Sequence, residues 1–595
     1  MRGCRHATIS KPRKHMENLF GIQDIEEITR DGAPSGRKDY LVWQAPFIDP
    51  QDETAGQKSP FSEAMRIMRF LMGRGVRVIL FCKIRKICEW AMKALRTELT
   101  AEGRLDILQR VMAYRGGYSP QDRRRIEQEA FSGHLLGIVA TNALELGVDI
   151  GVLDAVIMLG FPLGGIASYR QQAGRAGRRA RDALAVYVAD DFPMDQHYVA
   201  HPAELWEQTM DDLVVDLDSK VILEAHLQCA AHEMPLSVED ERYFGPLTKE
   251  ICEQSLVKDK EGWYQPNNKY LPYPAKHITL RGVEEERYSV VDVGKADKGG
   301  NLRLIEEVEI SRALFEIYEG GIFIHQGLTY MIREVSHDSK MARVVRTDVN
   351  WITEPRDFTN IDAAQTLRIR EIKNSPHRAY YGRVELKTTV FGFFKIRQGQ
   401  IIDSVLLDTP TWEREATGFW LDVPRPILKM LYDAGINPAE AIHAAEHAFL
   451  KQFALAADLG TECKVAEKEY KATESQRKRP ARLIFFEPSG RIASIAAKAF
   501  DHVSSTLSAA VQAVDACECQ DGCTACVISA SCRENNAVSH KAGALIILNS
   551  LAGISVDVDL LPLHERSQVV AFGTIVDAPI VQVAAGVEVE KDSSP

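Results

Sequence analysis

The chain has 595 residues, 45% of them hydrophobic and 26% charged, with a formal net charge of −11. That length predicts three or four domains and that balance an ordinary globular protein, which excludes a disordered or fibrous chain. A net acidic chain can bind nucleic acid only through local basic surfaces, and no stretch reads as transmembrane: the most apolar one, around residues 138–161, is interrupted by Glu145, Asp149 and Asp154.

Residues 20–60 carry DGAPSGRK and several prolines and read as a connection. Ser62 is placed to cap a helix whose Met65, Met68 and Met72 share a face and which Gly73 ends. VRVILFC (Val76 to Cys82) reads as a buried parallel strand. A helix from Ile84 to Leu99 follows, with Ile87, Ala91 and Leu95 inward. Ser119 as cap and Pro120 at the first helical position start another. LGIVAT, LDAVIMLG and ALAVYVA supply further strands. Strands alternating with helices in this way predict an α/β unit with a doubly wound parallel sheet. Ligands of such sheets sit at the carboxyl ends of the strands, where Thr141 falls.

Several loops of this unit carry charge. In YRQQAGRAGRRAR (Tyr169 to Arg181), Arg175 and Arg178 stand three apart, the spacing of one helix face, and Gly174 and Gly177 leave room for close approach. Guanidinium forks in such a row suit a triphosphate, because each can bond phosphate oxygens bidentately. In YRGGY (Tyr114 to Tyr118), Gly116 and Gly117 would let backbone amides reach phosphate, Arg115 adds charge and the tyrosines could stack bases. Taken singly, the basic runs at 123–125, 175–181 and 477–479 also fit solvated faces.

Beyond residue 200 the pattern changes. VILEAHLQCAAHEM and LTKEICEQSLV read as helices and GWYQP as an aromatic turn, which together fit a winged-helix-like module. Residues 300–425 are β-rich: GGIFIHQGLTYMIREV alternates about Gln326-Gly327 as a hairpin, and KTTVFGFFKI and GFWLDV read as strands. His325 reads as a packed strand residue. Asn437, Pro438 and Glu440 form a helix start, with the helix running to about Leu459. It contains His443, Glu446 and His447, the H-x-x-E-H pattern of zinc peptidases, although an alanine-rich amphipathic helix accounts for the same residues. Five thiols, Cys517, Cys519, Cys523, Cys526 and Cys532, crowd into sixteen of the 595 residues. A C-x₂-C pair on a tight turn suits two tetrahedral positions on Zn²⁺, so four of these five are expected to hold a structural zinc. From residue 563 the periodicity is lost and the tail is expected to be disordered.

Taken together, YRGGY, ATNALELGVDIGVLDAVIMLGFP, QQAGRAGR, HLQCAAHEMPL, HQGLTY and CECQDGCTAC resemble the fungal RecQ-like (Hrq-type) nuclear DNA helicases and the bacterial MrfA-type repair helicases. The resemblance implies a RecA-like parallel-sheet helicase C-terminal lobe at 46–200, a winged-helix-like module at 201–290, a β-rich region at 291–435 and a four-cysteine zinc domain at 436–562. It implies ATP-driven 3′-to-5′ movement on single-stranded and forked DNA, with Mg²⁺, in nuclear genome maintenance beside repair-factor proteins. It further implies that Arg175, Arg178 and Gln171 serve ATP hydrolysis, with Gly147, Asp149 and Gly174 at the nucleotide. Phe81, Arg85, Arg115, Gly116 and Thr141 would then meet the DNA strand. HATI (His6 to Ile9) resembles the S-A-T motif near the end of a first lobe, with His6 in place of Ser. The phosphate-cradling G-x-x-x-x-G-K-[ST] and an acidic Mg²⁺ box are absent, so residues 1–45 read as a remnant of that lobe and its linker, and the chain alone is expected not to hydrolyse ATP. A zinc-stabilised nucleic-acid-binding protein without motor activity, and an RNA helicase, are the alternatives.

Overall fold

Short, wholly apolar strands with helices on both sides build the first unit. A computed structural model describes residues 8–30, 32–34, 36–146, 150–177, 180–277, 285–294, 302–397, 399–461, 479–488, 495–532, 534–537, 539–556 and 575–592. Its six-stranded parallel sheet runs in the spatial order Lys38–Trp43, Ala183–Val188, Ala155–Leu159, Val78–Cys82, Gly137–Ala140, Val111–Tyr114. The three strands from Ala155, Val78 and Gly137 are buried along their whole length, which is why they read as unbroken apolar runs. Helix Pro60–Gly73 buries Met65, Met68 and Met72 against them. It starts earlier than Ser62 suggested, because Ser59 precedes a proline at the first helical position. Ser119 does cap Pro120–Phe131, its hydroxyl accepting from the Asp122 N–H at 3.1 Å. Lys38–Trp43, expected in the connection, is instead an edge strand paired residue for residue with Ala183–Val188. Its outer side is solvated, so it lacks the apolar run of its neighbours.

Helices Lys220–Glu233 and Thr248–Ser255 and the ribbon of Val257–Lys258 with Tyr264–Gln265 enclose a small core of Leu227, Ile251, Leu256 and Tyr264. A five-stranded sheet follows, ordered Arg303–Glu309, Arg287–Asp292, Met341–Arg346, Leu328–Ser336, Ile322–His325. Gln326 and Gly327, at φ 53° and 68°, make the tight turn of its hairpin, the left-handed pair that a two-residue connection requires.

Two strands of 20 residues each, Ile352–Glu371 and Arg378–Arg397, form a long antiparallel ribbon. Trp412–Asp422, Arg482–Phe486 and Gly460–Thr461 extend it on one side and Val589–Glu590 on the other. The expected boundary at residues 435/436 is therefore crossed by a sheet, and Phe419, Phe449 and Phe485 stack in one core shared by both sides. Helix Pro438–Lys451, capped by the Asn437 side chain, stops short of Leu459. The tail expected to be disordered is corrected over 575–592. Ile575–Val576 pairs with Arg479–Pro480, and the Glu590 carboxylate is bound by both Arg368 and Arg370 at 2.6–2.8 Å. Among the described residues, no helix is long and apolar enough to cross a membrane.

Candidate functional site

The carboxyl ends of the parallel strands open onto a groove of about 500 Å³. Lys83, Arg85, Lys86, Thr141 and Asn142 line it from the parallel sheet, and Ser311, Arg312, Phe315 and Pro355 from the opposite side. Lys83 is half-buried and lies 3.2 Å from Asp195, and Arg85 pairs with Glu309 at 3.3 Å. Gly116 lies beside the Arg85 guanidinium, which a Cβ there would meet at 3.6 Å. Phe81, expected at the nucleic acid, is a buried strand residue in the core that also lines a smaller cleft with Lys83, Asn142 and Glu145.

The loop after Gly137–Ala140 runs from this groove to the arginine-rich segment. Thr141 and Asn142 border the groove, while Glu145 is tied to helix Gly165–Ala173: its carboxylate accepts from Ser168 at 2.5 Å and Gln172 at 2.9 Å. That helix ends before Gly174, so Arg175 lies in a turn and not on the helix face that the spacing suggested. Arg175 is buried and donates from Nε (3.1 Å) and Nη2 to the Glu145 carbonyl. Gln171 donates to the Thr8 hydroxyl, in the segment read as a first-lobe remnant. His6, Gly147, Asp149 and Arg178 lie outside the described residues. The role of Glu145 had no signal in the sequence beyond a carboxylate in an otherwise apolar stretch.

Arg115 is not offered to a strand. Its guanidinium is buried, bidentate on Glu306 at 2.5 and 2.6 Å and bonded to Glu89 at 2.7 Å. Tyr118 donates to the same Glu89 at 2.6 Å, and the Gly327 N–H to its other oxygen at 3.0 Å. The Gln326 side chain bonds the Ala113 N–H and carbonyl at 3.1 and 2.9 Å. YRGGY and the HQG turn thus form one polar junction between the parallel sheet and the five-stranded sheet. Gly117 serves that junction: a Cβ there would lie 2.3 Å from the Glu306 carboxylate. Burial opposes ionisation of Glu306, but Arg115 and His325 overcome it and hold its carboxyl down at about 2.

Four of the five clustered cysteines converge. Sulfur–sulfur distances are 3.4 Å for Cys517–Cys519 and Cys517–Cys523, 3.5 Å for Cys519–Cys526 and 3.8 Å for Cys523–Cys526. Four thiolates around Zn²⁺ at about 2.3 Å stand about 3.8 Å apart, so the set fits a tetrahedral zinc. The Cys526 sulfur accepts the Cys523 N–H at 3.2 Å, and the Lys541 ammonium lies 3.3 Å from the Cys519 sulfur, where it offsets thiolate charge. Cys532 is not in this set. It lies with His443 and His447, and these two histidines with Glu446 are buried, which closes the H-x-x-E-H helix to a peptide. Glu446 accepts the Ile484 N–H at 3.0 Å, a bond that seats the helix on its sheet.

A parallel-sheet lobe with this arginine turn, joined to a winged helix and a four-cysteine centre, defines the C-terminal lobe and accessory domains of a helicase. Residues 62–180 match the helicase conserved C-terminal domain, 215–283 the winged helix domain of ATP-dependent helicase HRQ1, and 442–527 the MrfA Zn-binding domain. Over most of its length the chain is similar to the HRQ1 helicases. It is 42% identical to ATP-dependent helicase HRQ1 of Saccharomyces cerevisiae over 93% of this chain and 52% of that protein. Against ATP-dependent helicase hrq1 of Schizosaccharomyces pombe it is 40% identical over 93% of this chain and 53% of that one. The chain spans about half the length of these curated relatives. The crystal structure of the DUF1998 helicase MrfA bound to DNA superposes with a TM-score of 0.74 at 26% identity, covering 91% of this chain and 70% of that chain.

Proposed function

We propose that this chain is the C-terminal, strand-gripping part of an ATP-dependent DNA helicase that moves 3′ to 5′ in nuclear genome maintenance. The observation that carries the reading is the loop from Thr141 to Glu145. Its first residues border the basic groove and its last is clamped by Arg175, Ser168 and Gln172. A single rigid segment thereby joins the side that holds phosphodiester to the side that faces a nucleotide. Arg85, Thr141 and the Gly116 backbone bind the strand. Arg178 supplies charge to a triphosphate held by a partner lobe, Gly147, Asp149 and Gly174 serve the nucleotide, and Arg175 positions the loop while Gln171 orders the Thr8 segment. The relatives' names and the DNA in the MrfA crystal support DNA as the substrate; forked DNA and repair-factor proteins as partners are part of the same proposal.

The test joins this chain to an ATP-binding helicase lobe from a relative and measures DNA-stimulated ATP turnover. Arg178→Ala should lower turnover by about 10³-fold, as loss of an arginine finger does in related phosphoryl-transfer enzymes, and leave DNA binding unchanged. Undiminished turnover would refute the arginine assignment. Preference for RNA over DNA oligomers in competition would move the reading to an RNA helicase, and binding without any turnover to a non-motor binding protein.

A further inference from the structure

The zinc tetrahedron uses four thiols and leaves Cys532 elsewhere. Cys532 lies in the buried group with His443 and His447, whose ligand atoms all fall within 4.8 Å of one another. The Cys532 sulfur is 3.7 Å from His443 Nε2, and the two imidazoles, one helical turn apart on Pro438–Lys451, have centroids 4.1 Å apart. Ligand atoms around a tetrahedral zinc stand about 3.3–3.8 Å apart for bonds of about 2.0–2.3 Å, so closing on an ion needs a contraction of at most about 1.5 Å.

The surroundings are those of a metal site. His447 Nδ1 lies 2.9 Å from the Val527 carbonyl, a bond that places the ring proton there and leaves Nε2 as the unprotonated nitrogen. Metal-bound histidines are oriented by such bonds to backbone carbonyls. The Cys532 sulfur accepts the Asn536 N–H at 3.2 Å, a bond that fixes the direction of its side chain. Asn536 also clasps Ser529 through both ends of its amide, at 2.8 and 2.9 Å, and Asn535 and Asn536 adopt φ of 51° and 59°. The loop is thus bent and locked to keep the sulfur facing the histidines.

We propose that His443, His447 and Cys532 bind a second transition-metal ion, zinc by its mixed imidazole and thiolate donors, separate from the four-cysteine site. Its place gives it a task. Val527 belongs to the core of the zinc domain, whereas its neighbour Ile528 packs into the core of the helicase lobe. An ion on Cys532 fastens this crossing segment to helix Pro438–Lys451.

The experiment counts metal in the purified 595-residue chain by elemental mass spectrometry. Two zinc equivalents are expected. His447→Ala and Cys532→Ser should each leave one, Cys523→Ser should also leave one, and Cys523→Ser with Cys532→Ser should leave none. A wild-type count of one that Cys532→Ser does not lower overturns the proposal. A count that Cys532→Ser lowers and Cys523→Ser does not would overturn the four-cysteine site instead. Cobalt titration of the wild type needs no variant to fold: two spectra, one of a four-thiolate site and one of a single-thiolate site, support the second ion, and a four-thiolate spectrum alone refutes it.

Discussion

The Arg115 guanidinium forks onto Glu306 of the five-stranded sheet and bonds Glu89 of the helicase lobe, with all three side chains buried. Removing one partner of such a pair strands a buried charge, so Arg115→Ala should destabilise the chain by about 3–5 kcal/mol in denaturant unfolding. Arg115→Lys should not rescue it, because an ammonium cannot present the planar fork. Acid should weaken the same contact. The Glu306 carboxyl ionises at about 2 in the fold, below the ordinary glutamate value near 4.3. Its contribution is therefore complete above about 4.3 and is lost as pH falls through about 2. The stability difference between wild type and Glu306→Gln, followed by urea unfolding against pH, should shrink over that window and stay flat above it. At this scale the sequence was half legible. YRGGY and HQGLTY were visible as motifs, but charge and glycine in a loop suit a buried junction as well as a phosphate. Only the carboxylates brought from residues 89 and 306 decide between them.

At the scale of elements, local chemistry was read well where it acts locally. The Gln326-Gly327 hairpin, the Ser119 and Asn437 caps and the alternating parallel strands all depend on neighbours in sequence. The edge strand Lys38–Trp43 and the crossing of the 435/436 boundary depend on partners 60 or more residues away, Ala183–Val188 and Arg482–Phe486. The metal loop shows both cases. Spacing alone put four thiols on zinc, but which one stood apart was settled by a helix some 90 residues earlier. Structural zinc contributes on the order of 10 kcal/mol to small metal-organised units. Cys523→Ser should therefore release one zinc equivalent and open the segment around residues 515–545 to limited proteolysis, whereas an ordinary surface Ser substitution should do neither.

Across the whole molecule, the ribbon of Ile352–Glu371 and Arg378–Arg397 links distant parts. At its start the Lys93 ammonium bonds the Trp351 carbonyl and the Thr353 hydroxyl accepts the Ile322 N–H. Near its far end Arg368 and Arg370 hold Asp501, beside the helices that carry the metal domain. Twenty residues at about 3.3 Å each make a strut of about 65 Å before twist is counted. Such a strut is a ruler with graduations: between its three register shifts, at Arg356/Asp357, Ala363/Gln365 and Thr366/Arg368, its side chains change face at every residue, so within those stretches its length can be altered only in even steps. Deleting two facing residues from each strand should shorten the molecule by about 7 Å while keeping cooperative thermal unfolding and bound zinc. Deleting one from each should turn the apolar face of everything beyond the cut to water, and both should be lost. Equal tolerance of the two deletions would mean that the ribbon is a loose tether with no fixed gauge between the groove and the metal.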